Sequence, residues 1–162
     1  MEMPRTLSVL VKNRPRVLAR IAGLFARRGF NIDSLAVSTT EDEAISRMTV
    51  ATTCDAPTLA QIAKQVSKLH DVVRVIDHTE HKYVERELCL IKVKVSREQR
   101  PELISLCDVF RGDIVDIGNG SLMVQLIGDK DKIDAFAELL ADYEIVEMVR
   151  SGKIVLDRGA QG

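Results

Sequence analysis

Tryptophan is absent from this 162-residue chain, and aromatic residues of all kinds make up only 4% of it. That scarcity removes the stacking platforms on which single-stranded nucleic acid is held. Charge of one sign is missing too: 23 Lys and Arg face 24 Asp and Glu, a net charge of −1, so no basic field exists to bind nucleic acid at large. No run reaches the roughly 18 apolar residues of a membrane span, and Met1-Glu2-Met3-Pro4-Arg5 contains no apolar signal region. The expectation is a cytoplasmic protein with no membrane contact. The 9 Gly and 4 Pro are too sparse for a linker-dominated or collagen-like chain. Cys54, Cys89 and Cys107 are isolated in apolar stretches, where small buried thiols are expected rather than a disulfide or a metal site. What is present is an ordinary globular composition, 46% hydrophobic and 29% charged, in a length that suits one domain or two small ones. Two units that barely touched would each bury only about 60% of their unfolded surface, so two halves would need each other or partners.

Hydrophobic periodicity supplies the order of elements. Leu7-Ser8-Val9-Leu10-Val11 reads as a buried strand closed by Lys12-Asn13-Arg14-Pro15. Val17, Leu18, Ile21, Leu24 and Phe25 then form one face of a helix that starts near Pro15 and ends at Gly29, with Arg27 and Arg28 in its last turn. Ile32 to Thr39 and Ile45 to Thr53 read as a hairpin around Glu41-Asp42-Glu43. A helix opened by Pro57, with its stripe Leu59, Ile62, Ala63, Val66 and Leu69, leads to a strand from Val72 to Ile76. The order β-α-β-β-α-β is the ferredoxin-like, or split βαβ, unit: an α+β arrangement with both helices on one face of an antiparallel sheet. The other face starts uncovered and predicts association.

The pattern begins again after the polar stretch Asp77 to Lys82. Glu87 to Val95 is a strand; Leu103, Leu106, Cys107 and Phe110 mark a helix; Ile114 to Ile117 and Leu122 to Ile127 flank the turn Gly118-Asn119-Gly120. Ile133, Phe136, Ala137 and Leu140 mark another helix before a strand from Ile145 to Val149. The chain therefore divides into a first domain at 1–78, a linker at 79–82 and a second domain at 83–162, divergent copies of one unit. The start of the third helix is open, since Ser96-Arg97-Glu98-Gln99 resembles a capping box while Pro101 prefers the first helical position.

Candidate chemistry is sparse. His78 and His81 have the spacing of ligands on one helical turn, but they sit in the polar linker with no second ligand pair, so solvated histidines and no metal are expected. His70 reads as a helix-end residue interacting with carbonyls. No nucleophile elbow, P-loop or dinucleotide fingerprint is present, and Asp131/Asp134 and Glu41/Asp42/Glu43 read as solvated faces. One segment stands apart. Between positions 3 and 32 lie Arg5, Lys12, Arg14, Arg16, Arg20, Arg27 and Arg28 and no acidic residue. A strand-to-helix turn there presents free backbone N–H groups near Pro15, Arg16, Val17 and Leu18 to a small carboxylate. Asn31, just past the helix, has a side-chain oxygen able to accept a hydrogen bond from an ammonium group, so the features suit a free α-amino acid.

The run from Leu7 to Leu35, with Asn13-Arg14-Pro15-Arg16 and Gly29-Phe30-Asn31-Ile32-Asp33, closely resembles the N-terminal ACT domain of the acetolactate synthase (acetohydroxyacid synthase) small subunit. Ser46-Arg47-Met48-Thr49, Val72-Val73-Arg74-Val75, Val84-Glu85-Arg86-Glu87, Phe110-Arg111-Gly112 and Arg150-Ser151-Gly152 extend the resemblance nearly end to end. It implies a non-catalytic regulatory subunit that activates a large catalytic subunit and confers feedback inhibition by valine. Thiamine diphosphate, FAD and magnesium would belong to the large subunit, with no cofactor in this chain. It further implies a homodimer of side-by-side ACT domains with effector at their interface, lined by Asn13, the turn Pro15-Arg16-Val17-Leu18, and Asn31 with Ile32. The alternative is a free-standing ACT-type amino-acid sensor controlling another protein. One departure bears on the site: the family usually carries Asn-x-Pro-Gly where this chain has Asn13-Arg14-Pro15-Arg16. Arginine in place of glycine adds a long charged side chain where a ligand would approach the backbone, and predicts weakened valine binding.

Overall fold

Two runs of six elements with the same strand order form most of the computed structural model, which describes residues 1–159. The first run is β1 (Met3–Lys12), α1 (Val17–Arg27), β2 (Ser34–Thr39), β3 (Ile45–Cys54), α2 (Ala56–Val66) and β4 (Val72–Asp77). The second is β5 (Tyr83–Lys94), α3 (Arg100–Val109), β6 (Asp113–Gly118), β7 (Ser121–Gly128), α4 (Lys130–Leu139) and β8 (Glu144–Arg150). Their sheets run β2-β3-β1-β4 and β6-β7-β5-β8, with antiparallel neighbours throughout both paths. This is the α+β, twice ferredoxin-like architecture that the sequence predicts.

Period-two and period-3.6 patterns meet in each core. Leu7, Val9 and Val11 of β1 and Met48, Val50 and Cys54 of β3 face Val17, Ile21 and Phe25 of α1 and Leu59, Ile62 and Val66 of α2. In the second unit Cys89, Ile91 and Val93 of β5 and Leu122, Val124 and Leu126 of β7 pack with Leu103 and Cys107 of α3 and Ile133 and Phe136 of α4. All three cysteines are free and buried, so the thiols act as small apolar groups. Local signals fix the ends. Asp55 accepts a hydrogen bond from the Thr58 N–H at 2.8 Å to cap α2, and Asp129 accepts from the Lys132 N–H at 2.9 Å to cap α4. The two competing start signals of α3 both operate, in succession. Ser96 N–H donates to Gln99 Oε1 and Gln99 N–H to Ser96 Oγ, and the helix then begins at Arg100 with Pro101 in its first turn.

The second sheet faces differ. That of the first unit is lined by buried Thr6, Ser8, Thr49 and Ala51, with the Arg47 side chain beside Ser8, and is less apolar than expected. That of the second unit is apolar: Leu88 and Leu90 of β5, Ile127 of β7 and Val149 of β8 are cross-strand neighbours and exposed.

The sequence reading assigns everything after the linker at 79–82 to the second domain, 83–162. The compact units are instead Met1–Val84 together with the segment that begins at Ile154, and Glu85–Lys153. A ninth strand, β9 (Ile154–Asp157), which periodicity did not indicate, pairs with β5. The segment groups with the first unit because Arg47 donates to the Val155 carbonyl at 2.9 Å and the Arg158 N–H to the Lys82 carbonyl at 2.8 Å. Asp157 also holds two histidines there. Ile154-Val155-Leu156-Asp157 carries no apolar/polar alternation, and its apolar run is shorter than the roughly four residues from which a buried strand is read.

Candidate functional site

The turn from β1 into α1 is built by backbone constraints. Asn13 N–H donates to the Ala44 carbonyl at 2.8 Å, its side-chain Nδ2 to the Glu43 carbonyl at 3.1 Å, and Arg14 N–H back to the Lys12 carbonyl at 2.8 Å. Pro15 follows, and Arg16 stands at the helix N-cap in the left-handed conformation, φ 71° and ψ −4°. Arg16 offers no capping side chain, and the first turn of α1 contains no acidic residue. The N–H groups of that turn are therefore uncapped by any side chain, unlike those of α2 and α4, and can take an anion.

Charge at the turn is partly spoken for. Arg20 reaches Asp71 at 3.0 Å and Arg14 reaches it at 3.6 Å, so the Asp71 carboxylate, at the β4 end of the first unit, neutralises part of the basic segment. Arg5 is committed elsewhere, donating to the Cys54 carbonyl at 3.0 Å. The Arg16 carbonyl accepts from the Arg20 N–H at 3.1 Å, but its exposed side chain has no hydrogen-bond or ion-pair partner among the described residues. Val17 faces the core and can offer a ligand only its N–H, whereas Leu18, 46% exposed, presents its side chain to solvent.

Asn31 and Ile32 lie elsewhere. The Asn31 carbonyl accepts from Thr52 Oγ1 at 2.6 Å, its Nδ2 donates to Asp33 Oδ1 at 3.0 Å, and Ile32 packs against the first core. The amide oxygen of Asn31 is left without a partner among the described residues. Asn13 is thus anchored at the Ala44 end of β3 and Asn31 at the Thr52 end, separated by about 25 Å of extended chain. The 11-residue helix α1 between them is itself about 16 Å long. One chain does not bring the predicted effector residues together: Asn13, Pro15, Arg16, Val17 and Leu18 form one group, Asn31 and Ile32 another.

A second cluster was missed from sequence. His78, expected to be solvated in a linker, is 1% exposed. Its Nε2 lies 2.7 Å from Ser8 Oγ and its Nδ1 2.7 Å from Asp157 Oδ1, and His81 Nδ1 is 2.7 Å from the other oxygen of Asp157. Burial pushes the His78 imidazole below its ordinary pKa, against the pull of Asp157. Ser8, His78 and Asp157 stand in the sequence of contacts used by serine hydrolases, yet Ser8 is wholly buried in β1 and its oxygen also accepts from Arg47 at 3.0 Å. A nucleophile so enclosed cannot meet a substrate carbonyl. The His-x-x-His spacing was visible, but nothing local pointed to Asp157.

Comparison with known proteins covers both units. Residues 86–159 match the family described as the small subunit of acetolactate synthase, and residues 7–74 match the small-subunit-like ACT domain of acetohydroxyacid synthase. The chain belongs to the acetolactate synthase small-subunit family. It is 47% identical over 157 residues to the probable acetolactate synthase small subunit of Archaeoglobus fulgidus, covering 97% of this chain and 98% of that one. It is 46% identical over 158 residues to the acetolactate synthase small subunit of Haemophilus influenzae, covering 97% of each. The crystal structure of the acetolactate synthase small subunit from Thermotoga maritima superposes with a TM-score of 0.90 at 36% identity, over 98% of this chain and 99% of that one. The small-subunit family thus accounts for both units and for the returning C-terminal segment, up to residue 159.

Proposed function

We propose that this chain is the non-catalytic regulatory subunit of acetolactate synthase. It binds the catalytic large subunit in the cytoplasm, raises its activity, and carries feedback by a branched-chain amino acid, valine in the first instance. Thiamine diphosphate, magnesium and FAD reside on the large subunit, and this chain contributes recognition surfaces alone.

The observation that carries the effector reading is the separation of the two candidate groups to opposite ends of α1. Two chains placed side by side about a two-fold axis bring the Asn13–Leu18 turn of one against Asn31 and Ile32 of the other, which makes a homodimer with two equivalent composite sites. In each, the uncapped N–H groups of the turn hold the effector carboxylate, and the free amide oxygen of Asn31 from the other chain accepts from its ammonium. Leu18 and Ile32 supply apolar contact for the branched side chain. Such an effector bridges two protomers, so its binding favours one arrangement of the pair. It inhibits to the extent that this arrangement supports less activity in the catalytic subunit.

Complementation of single variants tests the composite site. Asn13→Ala and Asn31→Ala homodimers should each lose valine binding in calorimetry. Mixed, unfolded and refolded together, they should recover sites at about a quarter of the wild-type stoichiometry, because half the dimers are mixed and each of those has one intact site. No recovery would place the whole site within one chain and contradict the proposal.

A further inference from the structure

His78, His81 and Asp157 place three metal-ligating groups within 4.8 Å of one another, away from the β1–α1 turn. We propose that they form a binding site for a divalent cation of the zinc class, which ties β9 to the first unit. The proposal is independent of the effector reading.

The donor set is right for zinc, which takes imidazole nitrogen and carboxylate oxygen at about 2.0–2.2 Å in tetrahedral sets. Such bonds put neighbouring ligand atoms about 3.3 Å apart. The Asp157 oxygens already lie 2.7 Å from the two Nδ1 atoms, so small movements suffice to admit the ion. Three protein ligands leave a fourth position for water, and His81, 36% exposed, provides the way in. The proton inventory also closes. In the metal-free state each imidazole can donate its Nδ1 proton to the Asp157 carboxylate. On binding, that proton moves to Nε2 through solvent exchange, and the Nδ1 lone pair turns to the metal.

For His78 this leaves an Nε2–H donating to Ser8 Oγ, already 2.7 Å away, which has lone pairs for both that donor and Arg47. A second hydrogen bond of this kind orients and strengthens a ligating histidine. Arg47 works against the ion, because its guanidinium lies near both His78 and Asp157. Asp157 offsets one charge only, so the affinity belongs in the micromolar range rather than with fully enclosed structural zinc.

Zinc chloride titrated into chelator-treated full-length protein should bind one ion per chain, and cobalt(II) should give the visible bands of a tetrahedral site. His81→Ala and Asp157→Asn should weaken zinc by about 100-fold or more, while His70→Ala, at an exposed histidine outside the cluster, should leave affinity unchanged. Zinc should raise the melting temperature of the wild type and not of His81→Ala. Since His81 is partly exposed, that variant is expected to fold and decides the matter even if Asp157→Asn does not. Absence of saturable binding, or wild-type affinity in His81→Ala, would overturn the proposal.

Discussion

Arg16 is the residue whose replacement speaks to both folding and effector recognition. Its φ of 71° lies in the left-handed region, which costs an L-residue about 1–2 kcal/mol. Glycine escapes that cost but gives up about 0.5–1 kcal/mol in extra chain entropy on folding, so Arg16→Gly should gain about 0.5–1 kcal/mol. The side chain is exposed and without a partner among the described residues, so nothing is lost with it. For domains of this size the gain corresponds to a melting temperature about 2–5 °C higher, measurable by calorimetry. Valine affinity is the second readout. If Arg16 crowds the turn, removing it should tighten valine by about a hundredfold, or about 2.7 kcal/mol. Arg16→Ala separates the two effects, since it removes the charged side chain and keeps the backbone penalty: it should recover affinity without the gain in melting temperature. A lower melting temperature for Arg16→Gly would refute the strain argument. Equal valine affinity in all three proteins would refute the crowding argument, and weaker affinity in both variants would mean that Arg16 pairs with the effector carboxylate.

Other perturbations test the second unit. The Glu87 carboxylate is buried and accepts from Arg150 Nε at 2.8 Å and from Nη2, so Arg150→Ala should cost about 3 kcal/mol or more in urea unfolding by stranding that charge. A change below about 1 kcal/mol would show the pair to be dispensable. Phe136 is fully buried and packs edge-on against Phe110 at 5.2 Å, so Phe136→Ala should lose about 3–5 kcal/mol in the same assay. Hydrogen bonds from Lys130 and Arg150 hold the Asp134 carboxyl below its ordinary pKa. Its contribution is then complete above about pH 4 and fades as pH falls through the depressed native value. Asp134→Asn should flatten the acid limb of the melting-temperature profile, and superimposable limbs would contradict that assignment.

Element order was legible because the cores are built from side chains close in sequence: Val17, Ile21 and Phe25 announce α1, and short apolar runs bounded by turn residues announce β1 and β7. The repeat was legible for the same reason, although its glycines serve different needs. Gly29 takes a positive φ after α1. After α3, Arg111 takes it, and Gly112 is held instead by space, since a Cβ there would lie 3.0 Å from both Cys107 Sγ and the Gln125 carbonyl. What sequence could not show was pairing over long range. β9 is four residues long, Asp157 meets its histidines only in the fold, and burial of His78 depends on that meeting. The candidate effector residues were nameable one by one, through the turn and the resemblance. Their distribution to opposite ends of α1 required the register of β1 and β2 on β3.

The central claim is that this chain acts by controlling a catalytic partner and has no acetolactate-forming chemistry of its own. Acetolactate formation from pyruvate by the purified large subunit, loaded with thiamine diphosphate, magnesium and FAD, should rise when this chain is added and fall again when valine is added. The chain alone should form none. Turnover by the chain alone would contradict the account outright, and a large subunit indifferent to its presence would point to an amino-acid sensor serving some other protein.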